Sequence, residues 1–458
     1  MGSPVRSLLR GVAPCLLSLF AWACAPAAPP SSAPGDGGDP ALEQAAAGTP
    51  AGIAAAAVAR CRRVAAGARQ GCYDATLQAV LRAQGVRPAM ETLDGVVARD
   101  REVARDAHVF AHGIGIAAYS GPDSVGAVFA RCTPEHQSGC YHGVVQAYFM
   151  DARRAGGEIT AETANALCRD YRGEGGQGGD RWLQFQCAHG MGHGLVMFHG
   201  HDLPTALQGC DLLQSGFERE TCYQGAFMEN VVNAIMPHHP ASSLAHGDAA
   251  GGGHGAHAGG HGAASGGAHD AHGAHAGHGA AAAPAAAYRA LDPDDLLYPC
   301  STMAERYWNA CYSMQTSVIL HHTRQDVART AQECGRVPER MRSTCFISLG
   351  RDISGMTTQD RGASREKCAL VSDAADRAWC HVGVSTNMLN VTARAEDGLA
   401  YCRELPAGED KARCYEHVGG QLLVLAGSDP AREEACRGAE PEFVEACRRG
   451  ARLSVAGR

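Results

Sequence analysis

The sequence predicts an all-α fold, an α-solenoid of about ten 34-residue helical hairpins, and three observations carry that prediction. Cys300, Cys334, Cys368, Cys402 and Cys436 stand 34 residues apart. Each is followed 11 or 12 residues later by a second cysteine: Cys311, Cys345, Cys380, Cys414 and Cys447. Between the two members a turn recurs, often with proline, as in "GRVPER", "ELPAGED" and "AEPEF". Proline lacks the amide donor and clashes with the preceding turn, so one helix cannot run through both cysteines. Two facing helices per period, each hairpin stacked on the next, are the expected form.

In chain order, the first element is "MGSPVRSLLRGVAPCLLSLFAWAC". Arg6 and Arg10 precede a short apolar run from Leu16 to Phe20, which reads as a secretory signal over 1–24. Its end, "AWAC", is similar to a bacterial lipobox, in which Cys24 would become the lipidated N-terminus; Ala21 and Trp22 depart from the usual pattern. Residues 25–52, rich in Pro, Gly, Ser and Ala, read as a flexible tether. The expected location is the bacterial cell envelope, as an outer-membrane lipoprotein facing the periplasm or the surface. A secreted or periplasmic protein is the alternative. No other run is apolar enough to cross a membrane.

The repeat then occupies 53–236 and, after a linker at 237–289, 290–458. In the first stretch the spacing is less regular. Cys61 and Cys72 are 11 apart, Cys132 and Cys140 are 8 apart, and Cys210 and Cys222 are 12 apart. Cys168 and Cys187 are 19 apart, with "RGEGGQGGD" supplying the excess as a glycine loop. A unit without cysteines is expected between the first two pairs, centred on "HVFAHGIG" with Phe110 in the second-cysteine place. That makes five units on each side of the linker. The first helix of each is short: "DPAREEAC" reads as capped by Asp429 with Pro430 in its first turn, and "SREKC" as starting on Ser364. The second is longer, as in "ARCYEHVGGQLLVLAG".

Of 20 cysteines, setting aside Cys15 in the signal and Cys24 leaves an even number. In an exported chain this predicts nine disulfides, each clipping its own hairpin. Closing a loop of this size is worth roughly 3 kcal/mol in the chain-entropy model. Aromatic residues are only 6%, so the core is built of small side chains and gains from such staples. Structural zinc knuckles need close cysteine pairs, and no Cys-x-x-Cys occurs. The net charge of −8 comes from 40 basic and 48 acidic residues mixed along the chain, with no basic stripe, so no nucleic-acid partner is expected.

The 34-residue helix–turn–helix period is similar to that of tetratricopeptide repeats, and the disulfide-clipped form resembles the Sel1-like cysteine-rich repeat proteins exported by some bacteria. The resemblance covers 61–236 and 290–450 through period and cysteine placement; the Trp-Leu-Gly-Tyr signature of tetratricopeptide repeats is absent. It implies a scaffold that holds a protein or peptide partner in a concave groove, with the membrane reached through the lipid anchor.

Alignment on the second cysteine shows a recurring Cys-aromatic-x-Gly, as in "CYHG" and "CYQG". Glycine there costs about 1 kcal/mol of helix propensity, and close approach of a neighbouring helix is the usual reason. Two residues after the cysteine stand His112, His142 and His189 in consecutive units, then Gln224. The second half has Ser313, Ile347, Val382 and Glu416 there. His108 lies four before His112 and His193 four after His189, which puts each pair on one helix face. Five imidazoles on adjacent helices about 8–10 Å apart come within reach of one ion. Three readings fit the ladder: a divalent transition-metal site for Zn, Ni, Cu or Co, a packing device in which each ring bonds a neighbouring carbonyl, and a general acid–base site. Glu229 in the next unit is placed to add a carboxylate. Tyr141, Tyr223 and Tyr312 read as packing beside the disulfides.

The linker is Gly and Ala with ten histidines between His238 and His278, among them His254, His257, His261, His269, His272, His275 and His278. It cannot build a core and reads as disordered, with weak, multiple metal binding by its imidazoles. HExxH, Cys-x-x-Cys-His and Gly-x-Ser-x-Gly are all absent, which lowers the expectation of an enzyme. The leading reading is an exported, lipid-anchored binding scaffold with a transition-metal function. The rival is a periplasmic metal-dependent enzyme built on His108, His112, His142, His189 and His193.

Overall fold

The computed structural model describes residues 40–173, 179–235 and 288–453. The expected signal, Cys24 and the linker histidines lie outside them. Every element among the described residues is helical. Nine of the ten expected helical hairpins are present, and nine disulfides join the expected partners: Cys61–Cys72, Cys132–Cys140, Cys168–Cys187, Cys210–Cys222, Cys300–Cys311, Cys334–Cys345, Cys368–Cys380, Cys402–Cys414 and Cys436–Cys447. The unit without cysteines is Val86–Val97 followed by Arg101–Ala118. Phe110 fills the place of a disulfide there, buried edge-on to Tyr73 at 6.4 Å between centroids.

Helix starts follow side-chain capping, with two corrections. Asp360, not Ser364, caps the helix Arg361–Cys368, because its carboxylate accepts from the Ala363 amide. Ser428, not Asp429, caps Asp429–Cys436, with Pro430 inside the first turn. Capping needs an extended backbone at the cap, and Ser428 has it at φ −140° and ψ 155°. Helical structure also begins at Pro40, inside the stretch read as tether. Unit six departs most from the period. Residues 288–304 form turns without a first helix, and the second breaks into Trp308–Tyr312 and Gln315–His322.

Second helices lie side by side and first helices pack outside them. Four joints between second helices share one device. In the leading helix a glycine sits five residues after the second-cysteine place: Gly115, Gly192, Gly350 and Gly419. In the following helix it sits three after: Gly143, Gly225, Gly383 and Gly450. A Cβ on any leading glycine would overlap the carbonyl of Cys140, Cys222, Cys380 or Cys447 respectively. A Cβ on the following glycines would overlap the carbonyl of His112, His189, Ile347 or Glu416. Backbone therefore touches backbone reciprocally in units two and three, four and five, seven and eight, nine and ten.

The linker does not separate two bodies. Unit six stacks on unit five, with Tyr307 donating to Asp211 at 2.7 Å, Asn309 to Glu220 at 2.6 Å and Tyr288 to Asn230 at 2.9 Å. The stack then curls back on itself. The unit-eight helix Ala374–Thr392 packs on the turn at 136–138, and the unit-nine helix Glu409–Leu425 packs on the unit-four helix Arg181–Phe198.

Candidate metal centre

The helices Arg101–Ala118, Gly139–Arg154, Arg181–Phe198 and Gly216–Ile235 stand in sequence and point one set of side chains inward. Asp100 and Asp180 start the first and third by accepting from Glu102 and Leu183 amides. Glycine lets the third helix sit between its neighbours. A Cβ on Gly190 would lie 3.0 Å from Val145 Cβ, one on Gly194 would lie 2.8 Å from Phe149 Cγ, and one on Gly192 would strike the unit-five backbone. In "CAHGMGHG" the glycines thus serve packing, and the histidines between them are carried into the interior.

All five histidines singled out in the sequence come together. His142 is the hub, with ring centroids at 5.6 Å to His108, 5.5 Å to His112, 4.7 Å to His189 and 5.2 Å to His193. Ligand nitrogens of His108, His112 and His142 lie within 4.8 Å of one another, and so do those of His142, His189 and His193. His112, His142, His189 and His193 are all under 7% exposed, and His108 is half-buried. Their side chains are enclosed. Two surface clefts, of about 670 and 440 Å³, lie elsewhere, and none of the five histidines lines either.

Hydrogen bonds fix which ring nitrogens carry protons. Glu229 Oε2 accepts from His193 Nδ1 at 2.9 Å and from Gln146 Nε2 at 3.1 Å. Gln146 therefore turns its Oε1 to His112, whose Nδ1 donates at 2.9 Å. His108 Nδ1 donates to the His136 carbonyl at 2.8 Å, and His142 Nε2 donates to Gln186 Oε1 at 3.0 Å. With those protons placed, Nε2 of His193 and Nδ1 of His142 are acceptor nitrogens, while the Nε2 atoms of His108 and His112 share a hydrogen bond at 3.0 Å. His142 Nδ1, His189 Nδ1 and His193 Nε2 are buried with no hydrogen-bond partner among the described residues. Burial pushes His142 and His189 well below the usual imidazole range, neighbouring imidazoles push the same way, and both rings are neutral at pH 7.

This arrangement weighs against a packing ladder. Among the described residues, His108 bonds a backbone carbonyl while His112, His142 and His193 bond side chains, and a buried polar atom left unpaired costs about 1–3 kcal/mol. His142, His189 and His193, from two helices, each offer a ring nitrogen within 4.8 Å of the others and could hold an ion. Neutral imidazole is the ligand form, and a ligating ring backed by a carboxylate or carbonyl oxygen is the usual outer shell. Glu229 behind His193 and Gln186 behind His142 fill that role. The donor set, all imidazole nitrogen, suits Zn, Cu, Ni or Co.

Gln146, Gln186, His136 and Asp94 were not among the residues read from the sequence. Gln146 and His193 share a signal, since each stands six residues after its cysteine, one turn beyond the ladder position. His136 has no such signal. It belongs to a turn in which His136, Gln137 and Ser138 are all left-handed, with φ of 54°, 54° and 62°. That costs roughly 1–2 kcal/mol per residue. The turn aims the His136 carbonyl at His108 while its ring reaches Asp94 at 2.6 Å. Tyr141 and Tyr223 behave as expected, donating to the Cys132 carbonyl and to Asp211 rather than facing the cluster.

Fold and site define a class: a disulfide-stapled helical repeat that encloses a polyhistidine centre. Compared with known proteins, the chain matches no family model, no curated protein and no solved structure.

Proposed function

We propose that this is an exported, lipid-anchored envelope protein that binds a transition metal in a buried centre made of His142, His189 and His193. The observation that carries the reading is that each of the three offers a ring nitrogen within 4.8 Å of the others, and each has a buried ring nitrogen without a hydrogen-bond partner among the described residues. Nine disulfides support an oxidising compartment outside the cytosol. Among the described residues no helix is long and apolar enough to cross a membrane, so attachment in this reading rests on acylation of Cys24. The linker histidines act as a weak outer collector, and the enclosed centre is where an ion is retained. A scaffold role for protein or peptide partners is compatible with this and falls to the outer faces of the stack.

The test is elemental analysis of the untagged full chain, expressed with its signal and passed over a chelating resin to strip weakly held ions. Zinc or copper retained in stoichiometric amount in the wild type, and lost in His189→Ala, supports the reading. A metal-free wild type after loading with either ion refutes it.

A further inference from the structure

We infer that the cleft where the stack meets itself is a binding site for a small organic anion, a carboxylate carried on an apolar body. The cleft has a volume of about 670 Å³, within the range of small-molecule sites. Arg172 and Arg181 of unit four and Phe217 of unit five line it, together with Leu423 and Val424 of unit nine and Arg452 of unit ten. Both halves of the chain contribute, so the site exists only because helix Glu409–Leu425 returns to helix Arg181–Phe198.

The charge balance sets the sign of the ligand. Of the three guanidinium groups, one is already matched. Arg172 donates Nε and Nη2 to the two oxygens of Glu218, at 2.5 and 2.8 Å, and Gln184 donates to the same carboxylate at 2.8 Å. Among the described residues, Arg181 and Arg452 form no ion pair and no side-chain hydrogen bond. Two positive charges therefore stand unmatched in one cleft. Arg181 rests on the Phe217 ring, its Cζ 3.4 Å from the centroid. Stacking holds the guanidinium in place and leaves its planar fork of N–H donors for an oxyanion. Burial pushes Arg181 below its usual range; Glu218 opposes this, and the Arg452 charge adds to it. An anion bound by both arginines relieves their repulsion.

The apolar lining sets the body. Phe217, Leu423 and Val424 offer hydrocarbon beside the two charges, which a bare inorganic ion would leave unused. Gly420 keeps the space open: a Cβ there would meet only the Gly450 carbonyl, at 4.0 Å. The adjoining cleft of about 440 Å³ shares Gly420 but carries Glu409 and Glu416 against Arg413, so it has no positive excess.

Calorimetric titration of the full chain with 2-naphthoate, its uncharged amide and inorganic phosphate tests the site. Naphthoate should bind once per chain, at least about 10-fold tighter than either the amide or phosphate. Arg181→Gln and Arg452→Gln should each weaken it about 10-fold or more, with circular dichroism confirming that the variants are folded. Gly420→Leu keeps both arginines, fills the cleft and should abolish binding. No binding of naphthoate up to about 1 mM, equal affinity for the amide, or arginine variants that bind as the wild type does would each overturn the proposal. Phosphate held as tightly as naphthoate would make this a bare anion site and reject the organic ligand. Should a variant not fold, the three probes on the wild type still decide.

Discussion

Replacing Gly192 with Ala tests whether backbone contact positions the histidines. The added methyl would lie 2.5 Å from Ala226 N and 2.8 Å from Gly225 C, and closer still to the Cys222 carbonyl. All three are backbone atoms of a buried helix and cannot swing away. Ordinary carbon contacts are about 3.5–4.0 Å, so helices Arg181–Phe198 and Gly216–Ile235 must part by about 1 Å. That would stretch the 2.9 Å bond from His193 to Glu229 beyond hydrogen-bonding range. Helix propensity returns about 1 kcal/mol on Gly→Ala, while overpacking costs about 1–3 kcal/mol and the broken buried bond adds about 1–3 kcal/mol. A net loss of about 1–5 kcal/mol is expected, together with weaker metal retention. Gly355→Ala is the control: it lies in helix Arg342–Met356, and a Cβ there meets nothing within 4 Å. It should raise stability by about 0.5–1 kcal/mol. Urea unfolding followed by circular dichroism gives both values. If Gly192→Ala is as stable as Gly355→Ala, close helix approach is not what places these side chains.

Glu229→Gln should weaken metal retention about 10- to 100-fold while leaving the helical signal intact, measured by chelator competition; unchanged affinity would remove Glu229 from the outer shell. Deleting 240–285 should leave the melting temperature within a few degrees of wild type, because contacts from Tyr288, Tyr307 and Asn309 already join units five and six. The same deletion should reduce retention of untagged protein on a nickel column, and equal retention would clear the linker of that role. In chelator-treated protein, acid should destabilise the fold below about pH 6.5. Burial holds His142, His189 and His417 below the usual range and takes His381 down to about 4. The unfolded chain takes up those protons near pH 6.5 and the folded chain does not. Stability is therefore intact above that pH and falls toward each folded value, by at most about 1.4 kcal/mol per pH unit for each group. Urea midpoints at pH 7.5, 5.5 and 4.5 measure this, and a flat profile would contradict it.

Local spacing made much of this legible. Cysteine separation fixes which residues can face each other in a hairpin, so the nine pairs follow from the sequence. The ladder follows in the same way, because a fixed offset from the cysteine is a fixed direction on the helix. The return of helices 374–392 and 409–425 to residues more than 200 positions away does not follow from local spacing. Nor does the turn at His136, where strain is stabilised by tertiary contacts and not by residue type. The caps at Asp360 and Ser428 were misread by one to four residues because neighbouring Asp, Ser and Pro all favour a helix start. Unit six was read as regular from its cysteines alone, which do not report whether the preceding segment is helical.

The reciprocal glycine joints give the stack a grammar. Each half reads single, pair, pair: unit one then two–three and four–five, unit six then seven–eight and nine–ten. The effective building block is thus about 68 residues, and a chain that keeps its joints lengthens or shortens by two hairpins at a time. Removing one hairpin would set two helices with the same glycine offset against each other, and neither would find a matching gap. Both halves spell this pattern identically, yet where the first writes His112, His142 and His189 the second writes Ile347, Val382 and Glu416. Two copies of one frame have been kept, and only one of them carries a chemical vocabulary.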